Sequence, residues 1–191
     1  ITHFDQDHSG NLLKLLQIVK PKRIWASRLD HSEISRVLSQ WGVELGGRSL
    51  CSDDFCAESW LDPGRKQIKG VVSNEDSLVL WIVQKSTHEI LSMFLGDLTK
   101  RGETGLISHL THSGYNLRNG IELLKIGHHG SKTSTSEALI HTLKPKLAVI
   151  SSGRNNRFHH PHSRVLERLE DCSARILRGD ILSNLKVFFD F

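Results

Sequence analysis

The sequence predicts an α/β sandwich, with helices laid outside two sheets. Two observations carry that prediction. Residues 43–96 read as a β-meander of apolar runs joined by polar turns, and from Asp97 onward helical and strand-like stretches alternate. A third is size: 191 residues and 21.6 kDa suit one domain burying roughly 70% of its unfolded surface. No internal repeat and no Pro/Gly/Ser linker divides the chain, so residues 1–191 are read as one domain.

Taken in order, Leu12, Leu13, Leu15, Leu16, Ile18 and Val19 make a short helix, opened by Ser9-Gly10-Asn11 and stopped by Pro21. Arg23–Ser27 reads as a buried strand. Asp30 caps a helix that runs to Trp41, with Gly42 as its stop. Gly70–Val72, Ser77–Val83 and Ile90–Leu95 are strand-like runs. Residues 49–68 carry the weakest pattern and are expected to be loop-rich. Beyond Asp97, helices are expected over 103–112, 134–143 and 162–171. Strands are expected over Ile121–Ile126, Leu147–Ser151, Ala174–Leu177 and Leu185–Phe189.

Composition narrows the function classes. Hydrophobic residues at 38%, charged residues at 24% and a mean hydropathy of −0.28 exclude a membrane-embedded or a disordered chain. Three cysteines cannot make a disulfide framework, and none forms a Cys-x-x-Cys metal pair. Cys51 and Cys56 are near enough in sequence to pair in an oxidising compartment, but two free thiols are expected. Lys+Arg 25 against Asp+Glu 21 gives +4, which permits an anionic substrate without demonstrating one.

Histidine is the unusual residue, at 12. His3 and His8 form one cluster, His128 and His129 a second, and His159, His160 and His162 a third; the rest are scattered. Each cluster sits beside an expected strand end, where loops gather and sites of open α/β sheets lie. The first reads Thr2-His3-Phe4-Asp5-Gln6-Asp7-His8, four candidate ligands in six residues. Its plainer explanation is a helix N-terminus with Asp7 complementing the dipole. Imidazole and carboxylate together suit a divalent metal, of the harder kind. Phe94-Leu95-Gly96-Asp97 sets a carboxylate at the end of an apolar strand, which alone is only a polar terminus. Gly127-His128-His129-Gly130 pairs two imidazoles that are hard to bury satisfied, with glycines to turn the backbone. Gly153-Arg154-Asn155-Asn156-Arg157-Phe158-His159-His160-Pro161-His162 supplies donors suited to phosphate oxygens, or else is an exposed basic turn.

The order Thr-His-x-Asp-x-Asp-His, Leu-Gly-Asp, Gly-His-His-Gly-Ser-Lys-Thr-Ser and Gly-Arg-Asn-Asn-Arg-x-x-His-Pro-His resembles the metallo-β-lactamase-like domain of the bacterial competence protein family ComEC. Asn74-Glu75-Asp76-Ser77-Leu78-Val79 is similar to that family's Asn-x-x-Ser-Leu-Val segment. The resemblance implies an αββα sandwich of the metallo-β-lactamase type, with one or two divalent ions, Mn²⁺ or Zn²⁺, between its sheets. It puts His3 and Asp5 at a first metal position, Asp7 and His8 at a second, Asp97 between them, and His129 or His128 completing the second. His160 and His162 would lie at the rim, near the scissile group. The implied activity is that of a metal-dependent phosphodiesterase acting on DNA during uptake, on a single strand or the strand that is not imported, in a domain attached to a membrane channel and facing outward. Asp97, His128 and His160 are the expected catalytic groups; Lys132, Arg154, Asn156 and His162 are expected to hold phosphate. No small-molecule cofactor is expected.

Two departures from the family pattern matter. The wider superfamily has His where Asp5 stands, and a further Gly-His loop before the bridging Asp, where this chain offers only His31 and His88. The first position is therefore expected to be oxygen-rich and to suit Mn²⁺ better than Zn²⁺. The family domain also opens with a β-hairpin ahead of the His3 loop, so the fragment is expected to be truncated, metal-poor and weakly active, its Arg23–Ser27 strand without a neighbour. The competing readings are another hydrolase on this scaffold, such as a phosphorylcholine esterase or a thioester or lactam hydrolase, and a truncated module that binds metal or DNA without turnover.

Overall fold

The computed structural model describes residues 2–3, 6–19, 21, 23–27, 36, 40, 43–45, 49–65 and 73–182. Nine strands are described: β1 (Ile24–Ala26), β2 (Val43–Leu45), β3 (Ser49–Cys51), β4 (Phe55–Trp60), β5 (Val79–Gln84), β6 (Ile90–Phe94), β7 (Leu123–Lys125), β8 (Leu147–Ile150) and β9 (Arg175–Arg178). The helices are α1 (Gln6–Ser9), α2 (Leu12–Ile18), α3 (Lys100–His112), α4 (Glu137–Leu143) and α5 (Ser163–Asp171). Strands β3 to β9 form one seven-stranded sheet in sequence order, and β1 and β2 pair apart from it.

The large sheet changes character at β6. From β3 to β6 neighbours run antiparallel; from β6 to β9 they run parallel. This follows from the connections, because short turns join β3 to β4 and β5 to β6, whereas α3, α4 and α5 each carry the chain back for a parallel return. Strand β5 alternates buried and half-buried residues along its length, the period of a sheet with one face on the core. Trp81, Met93, Leu106, Leu124, Leu139 and Val165 bring sheet and helices into one core. Each is worth about 1.5–3 kcal/mol on full burial. The parallel half matters most for the site, because β6, β7 and β8 all deliver the chain to the same sheet edge.

Several expectations change. Residues 49–60 are a hairpin rather than a loop, with Cys51 facing Cys56 across β3 and β4. The two are disulfide-bonded, so the expected free thiols are overturned. The reason is the register: the Ser52–Phe55 turn closes with a backbone hydrogen bond from Ser52 N–H to Phe55 O and leaves the cysteines opposite one another. Cys172 is a free thiol. Strand β1 is not left without a neighbour, since it pairs in parallel with β2. Gly70–Val72 and Leu185–Phe189 lie outside the described residues, as does the helix expected over 30–41 apart from Arg36 and Gln40. No helix among the described residues is long and apolar enough to cross a membrane.

Candidate metal centre

Three chain segments meet at the edge where β6, β7 and β8 end. The first is the N-terminal segment, tied down by a hydrogen bond from Leu78 N–H to Thr2 O (2.8 Å). Its close approach needs Gly96, which has φ 57° and would place a Cβ only 2.9 Å from Thr2 Cβ. This seats His3, 1% exposed, beside Asp97. The single turn α1 then presents Asp7 and His8. Asp97 follows β6, and its backbone N–H donates to Ser77 Oγ (3.0 Å).

The third segment is the turn after β7. His128 (φ 46°, ψ 45°) and His129 (φ 55°, ψ 19°) both adopt left-handed backbone, followed by Gly130 at φ 84°. Left-handed conformation at a residue with a Cβ costs about 1–3 kcal/mol and is found where function holds it. The histidines themselves therefore make the turn. Gly127 serves close packing instead: a Cβ there would meet Leu98 O at 3.2 Å.

Four side chains converge. Atoms of Asp7, His8, Asp97 and His129 that could bind metal all lie within 4.8 Å of one another. His8 Nε2 is 3.2 Å from Asp97 Oδ1, and His129 Nε2 is 3.1 Å from Asp7 Oδ2 and 3.6 Å from Asp97 Oδ2. His3 and His128 stand just behind, their Nε2 atoms 3.7 and 3.9 Å from Asp97 Oδ2. Asp5 lies outside the described residues.

The donor set fits a divalent cation. His129 Nδ1 is 2.6 Å from Ser151 O, a carbonyl that can only accept, so Nδ1 carries the proton and Nε2 turns a lone pair inward. Thr2 Oγ1 stands 3.0 Å from His8 Nδ1 and can fix that ring in the same sense. The two inward Nε2 atoms are 3.3 Å apart, an arrangement that calls for a proton or a cation between them. Burial alone would raise the pKa of Asp97, but the hydrogen bond from His8 and the nearby His129 and His3 outweigh it and hold the carboxyl at about 2. For His8, burial works downward and the Asp97 and Asp7 carboxylates more than offset it, so its pKa is raised. Burial lowers His128. Burial, reinforced by His162, His128 and His129, lowers His160 to about 4.

The cluster opens into a cavity of about 1000 Å³, lined also by Asn74, Val149, Ser151, Arg157, Phe158 and His160. His160 reaches it as expected, its ring edge-on to His128 at 5.7 Å between centroids. Asn156 also lines it but has no donor left for phosphate: its amide nitrogen donates to Gly153 O (2.9 Å) and His160 O (2.6 Å). Its expected phosphate contact gives way to a role inside the loop. Arg154 faces an adjoining polar depression with Arg178 and donates to Ile181 O (3.0 Å), so it does not line the metal cavity. His162 stands at the N-terminal end of α5 behind His160, at 5.0 Å between rings, and Lys132 is exposed; neither lines the cavity.

Sequence reasoning missed two positioning residues. Asn74 Nδ2 lies 3.4 Å from both ring nitrogens of His128. Glu103, fully buried in α3, accepts from the backbone N–H groups of Thr135 (2.5 Å) and Ser136 (2.8 Å), bracing the loop beyond His129. Burial raises the pKa of Glu103 despite those two bonds. The signal for it was slight: an acidic residue three places into a helix reads as a dipole partner.

The chain is 36% identical over 193 residues, 94% of its length, to ComE operon protein 3 of Bacillus subtilis (strain 168). It is 44% identical over 190 residues to Recombination protein 2 of Haemophilus influenzae, and 29% identical over 186 residues to Competence protein ComA of Neisseria gonorrhoeae. The chain belongs to the ComEC family. It corresponds to the metallo-β-lactamase-like domain of that family and spans 22–24% of the length of these curated relatives. No family model matches the chain. Among solved structures, the CmlA β-hydroxylase E377D mutant matches with a TM-score of 0.54 and 15% identity. That match covers 93% of this chain and 42% of the other. At that identity the likeness shows the fold alone: the ComEC-family domain has the metallo-β-lactamase fold.

Proposed function

We propose that this domain is a metal-dependent phosphodiesterase that cleaves DNA in the course of its uptake. The observation that supports this best is the convergence of Asp7, His8, Asp97 and His129 on the floor of a cavity rimmed by Arg157, Asn74 and His160. Those four residues hold a divalent cation, with His3 and His128 beside them. The cation, when bound, neutralises charge at the scissile phosphate and makes a water nucleophilic near neutral pH. The donor set of two carboxylates and two imidazoles suits Mn²⁺ or Zn²⁺.

The protein's own groups do the rest. Asp97, ionised far below neutrality, accepts a hydrogen bond from the attacking water and orients it. His128 and His160, with lowered pKa values, are neutral at pH 7 and serve as N–H donors to developing charge rather than as cations. Arg157 supplies the fixed positive charge at the mouth. In the longer ComEC-type protein the domain is attached to a membrane channel segment, and the Cys51–Cys56 disulfide favours its exposure to an oxidising compartment.

The test is a substrate panel: linear duplex DNA, single-stranded DNA, a phosphorylcholine ester and a β-lactam, each with Mn²⁺, with Zn²⁺ and with a chelator. Cleavage of DNA that the chelator abolishes is expected. Turnover of the choline ester or the lactam in place of DNA would assign another hydrolase, and binding of DNA without turnover would assign the binding-only module.

A further inference from the structure

Phe158 is out of place by ordinary burial rules. It sits 57% exposed at the mouth of the metal cavity, in a loop otherwise made of Gly, Arg, Asn, His and Pro. The loop is built to keep it there. Asn156 receives the His160 backbone N–H on Oδ1 (2.9 Å) and returns a hydrogen bond to His160 O, bracketing the three residues between them. Asn155 (φ 51°) and His159 (φ 55°) hold left-handed backbone on either side of Arg157 and Phe158. A phenyl ring so fixed in water needs a reason beyond packing.

A guanidinium and an imidazole lie against it. The Arg157 guanidinium lies 4.6 Å from the Phe158 ring centroid. The His160 ring is nearly parallel to it, 24° between planes and 5.6 Å between centroids. His160 in turn meets His128 edge-on, and His128 reaches Asp97. A row of aromatic groups thus runs from the rim to the metal cluster. Among the described residues Arg157 has no acidic partner, so its charge is available to an anion.

We infer that Phe158 and Arg157 form a stacking platform for one base of a single-stranded DNA whose backbone crosses the metal cluster. This rests on the phosphodiesterase reading above and adds to it the two side chains that hold a base of the strand. The open part of the ring, or the outer plane of the guanidinium, takes the base face. Base-on-aromatic stacking tolerates any sequence, since every base has a π-face, and cation–π attraction from Arg adds to it. Paired bases are already stacked on their neighbours, so the platform favours an unpaired strand.

The test is equilibrium binding in a chelating buffer, which prevents cleavage. The probes are a fluorescent thymidine 12-mer, a 12-mer of abasic units with the same charge, and a 12-base-pair duplex. Wild type is expected to bind the thymidine oligomer more tightly than the abasic one. Phe158→Ala should weaken thymidine binding by roughly 5–150-fold, since stacking is worth about 1–3 kcal/mol per base, and leave abasic and duplex binding unchanged. Phe158→Trp should preserve the preference. Phe158→Leu, apolar but without a π-face, should lose it, and this variant decides the matter if the alanine variant fails to fold. A 2-aminopurine base in the oligomer should be quenched by wild type and not by Phe158→Leu. Equal binding of thymidine and abasic oligomers by wild type, or no binding of either, overturns the platform. Mn²⁺-dependent cleavage of the thymidine oligomer is scored separately. If cleavage is absent while the base preference persists, the phosphodiesterase reading fails and the platform stands; cleavage without base preference gives the reverse.

Discussion

At the scale of single residues, the site is a balance between one buried carboxylate and the imidazoles around it. Metal binding needs His8 neutral, and its raised pKa makes the proton a competitor above pH 6.5. Apparent metal affinity should therefore rise with pH through that raised value and level off above it, while Asp97, at about 2, stays ionised throughout. Calorimetric titration with Mn²⁺ between pH 5.5 and 8.5, in buffers of different ionisation enthalpy, should register a released proton only in the lower range; a flat affinity would contradict this. Gly96 is the second residue-scale test. Gly96→Ala combines strained left-handed backbone with a 2.9 Å clash against Thr2 and a 3.1 Å clash against Ser77. It should cost about 1–3 kcal/mol and loosen the His3 segment, seen as a lower melting temperature together with weaker metal binding. The candidate donors Asp7 and His8 were legible at this scale, because four ligand-competent residues in six is a dense signal. The left-handed backbone at His128 and His129 was not, since the flanking glycines were the obvious carriers of the turn.

At the scale of elements, Glu103 links α3 to the loop that carries the His128–His129 turn into α4. Its two oxygens each accept one backbone N–H, so Glu103→Gln presents an amide donor to a donor and strands a buried group. The expected loss is about 1–3 kcal/mol, or about 2–4 °C in melting temperature for each kcal/mol, with faster hydrogen exchange at Thr135 and Ser136. An unchanged melting temperature and exchange rate would show that the carboxylate does not brace the loop. Most elements were legible because their apolar residues recur at the period of a strand or a helix. Strand β5 shows why the signal is strong: its residues alternate between core and surface. The β3–β4 hairpin was missed because Cys56-Ala57-Glu58-Ser59 looks like a loop until its partners are known. Glu58, polar in sequence, accepts hydrogen bonds from Trp81 Nε1 (3.2 Å) and from the Tyr115 hydroxyl, both distant in the chain. The disulfide was missed for the same reason, since pairing register is a tertiary property.

For the whole molecule, the parallel half of the sheet turns scattered motifs into one site. Asp97, the His128–His129 turn and the Gly153–His162 loop follow β6, β7 and β8, so that 66 residues of sequence meet at one edge. Their order in the chain was enough to suggest this. Which arginine faces the cavity was not, because Arg154 and Arg157 differ only in the direction the loop gives them. The central claim is that Asp7, His8, Asp97 and His129 bind the ion on which DNA cleavage depends. The most direct measurement is the initial rate of cleavage of a linear single-stranded DNA as a function of Mn²⁺ concentration, for wild type and Asp97→Ala side by side. The account predicts a saturable rate in wild type, no rate with a chelator, and in Asp97→Ala a half-saturating Mn²⁺ concentration raised at least about 10–100-fold, the loss that even outer-shell changes produce. Cleavage that proceeds without metal, or a saturation curve identical in the two proteins, would contradict it.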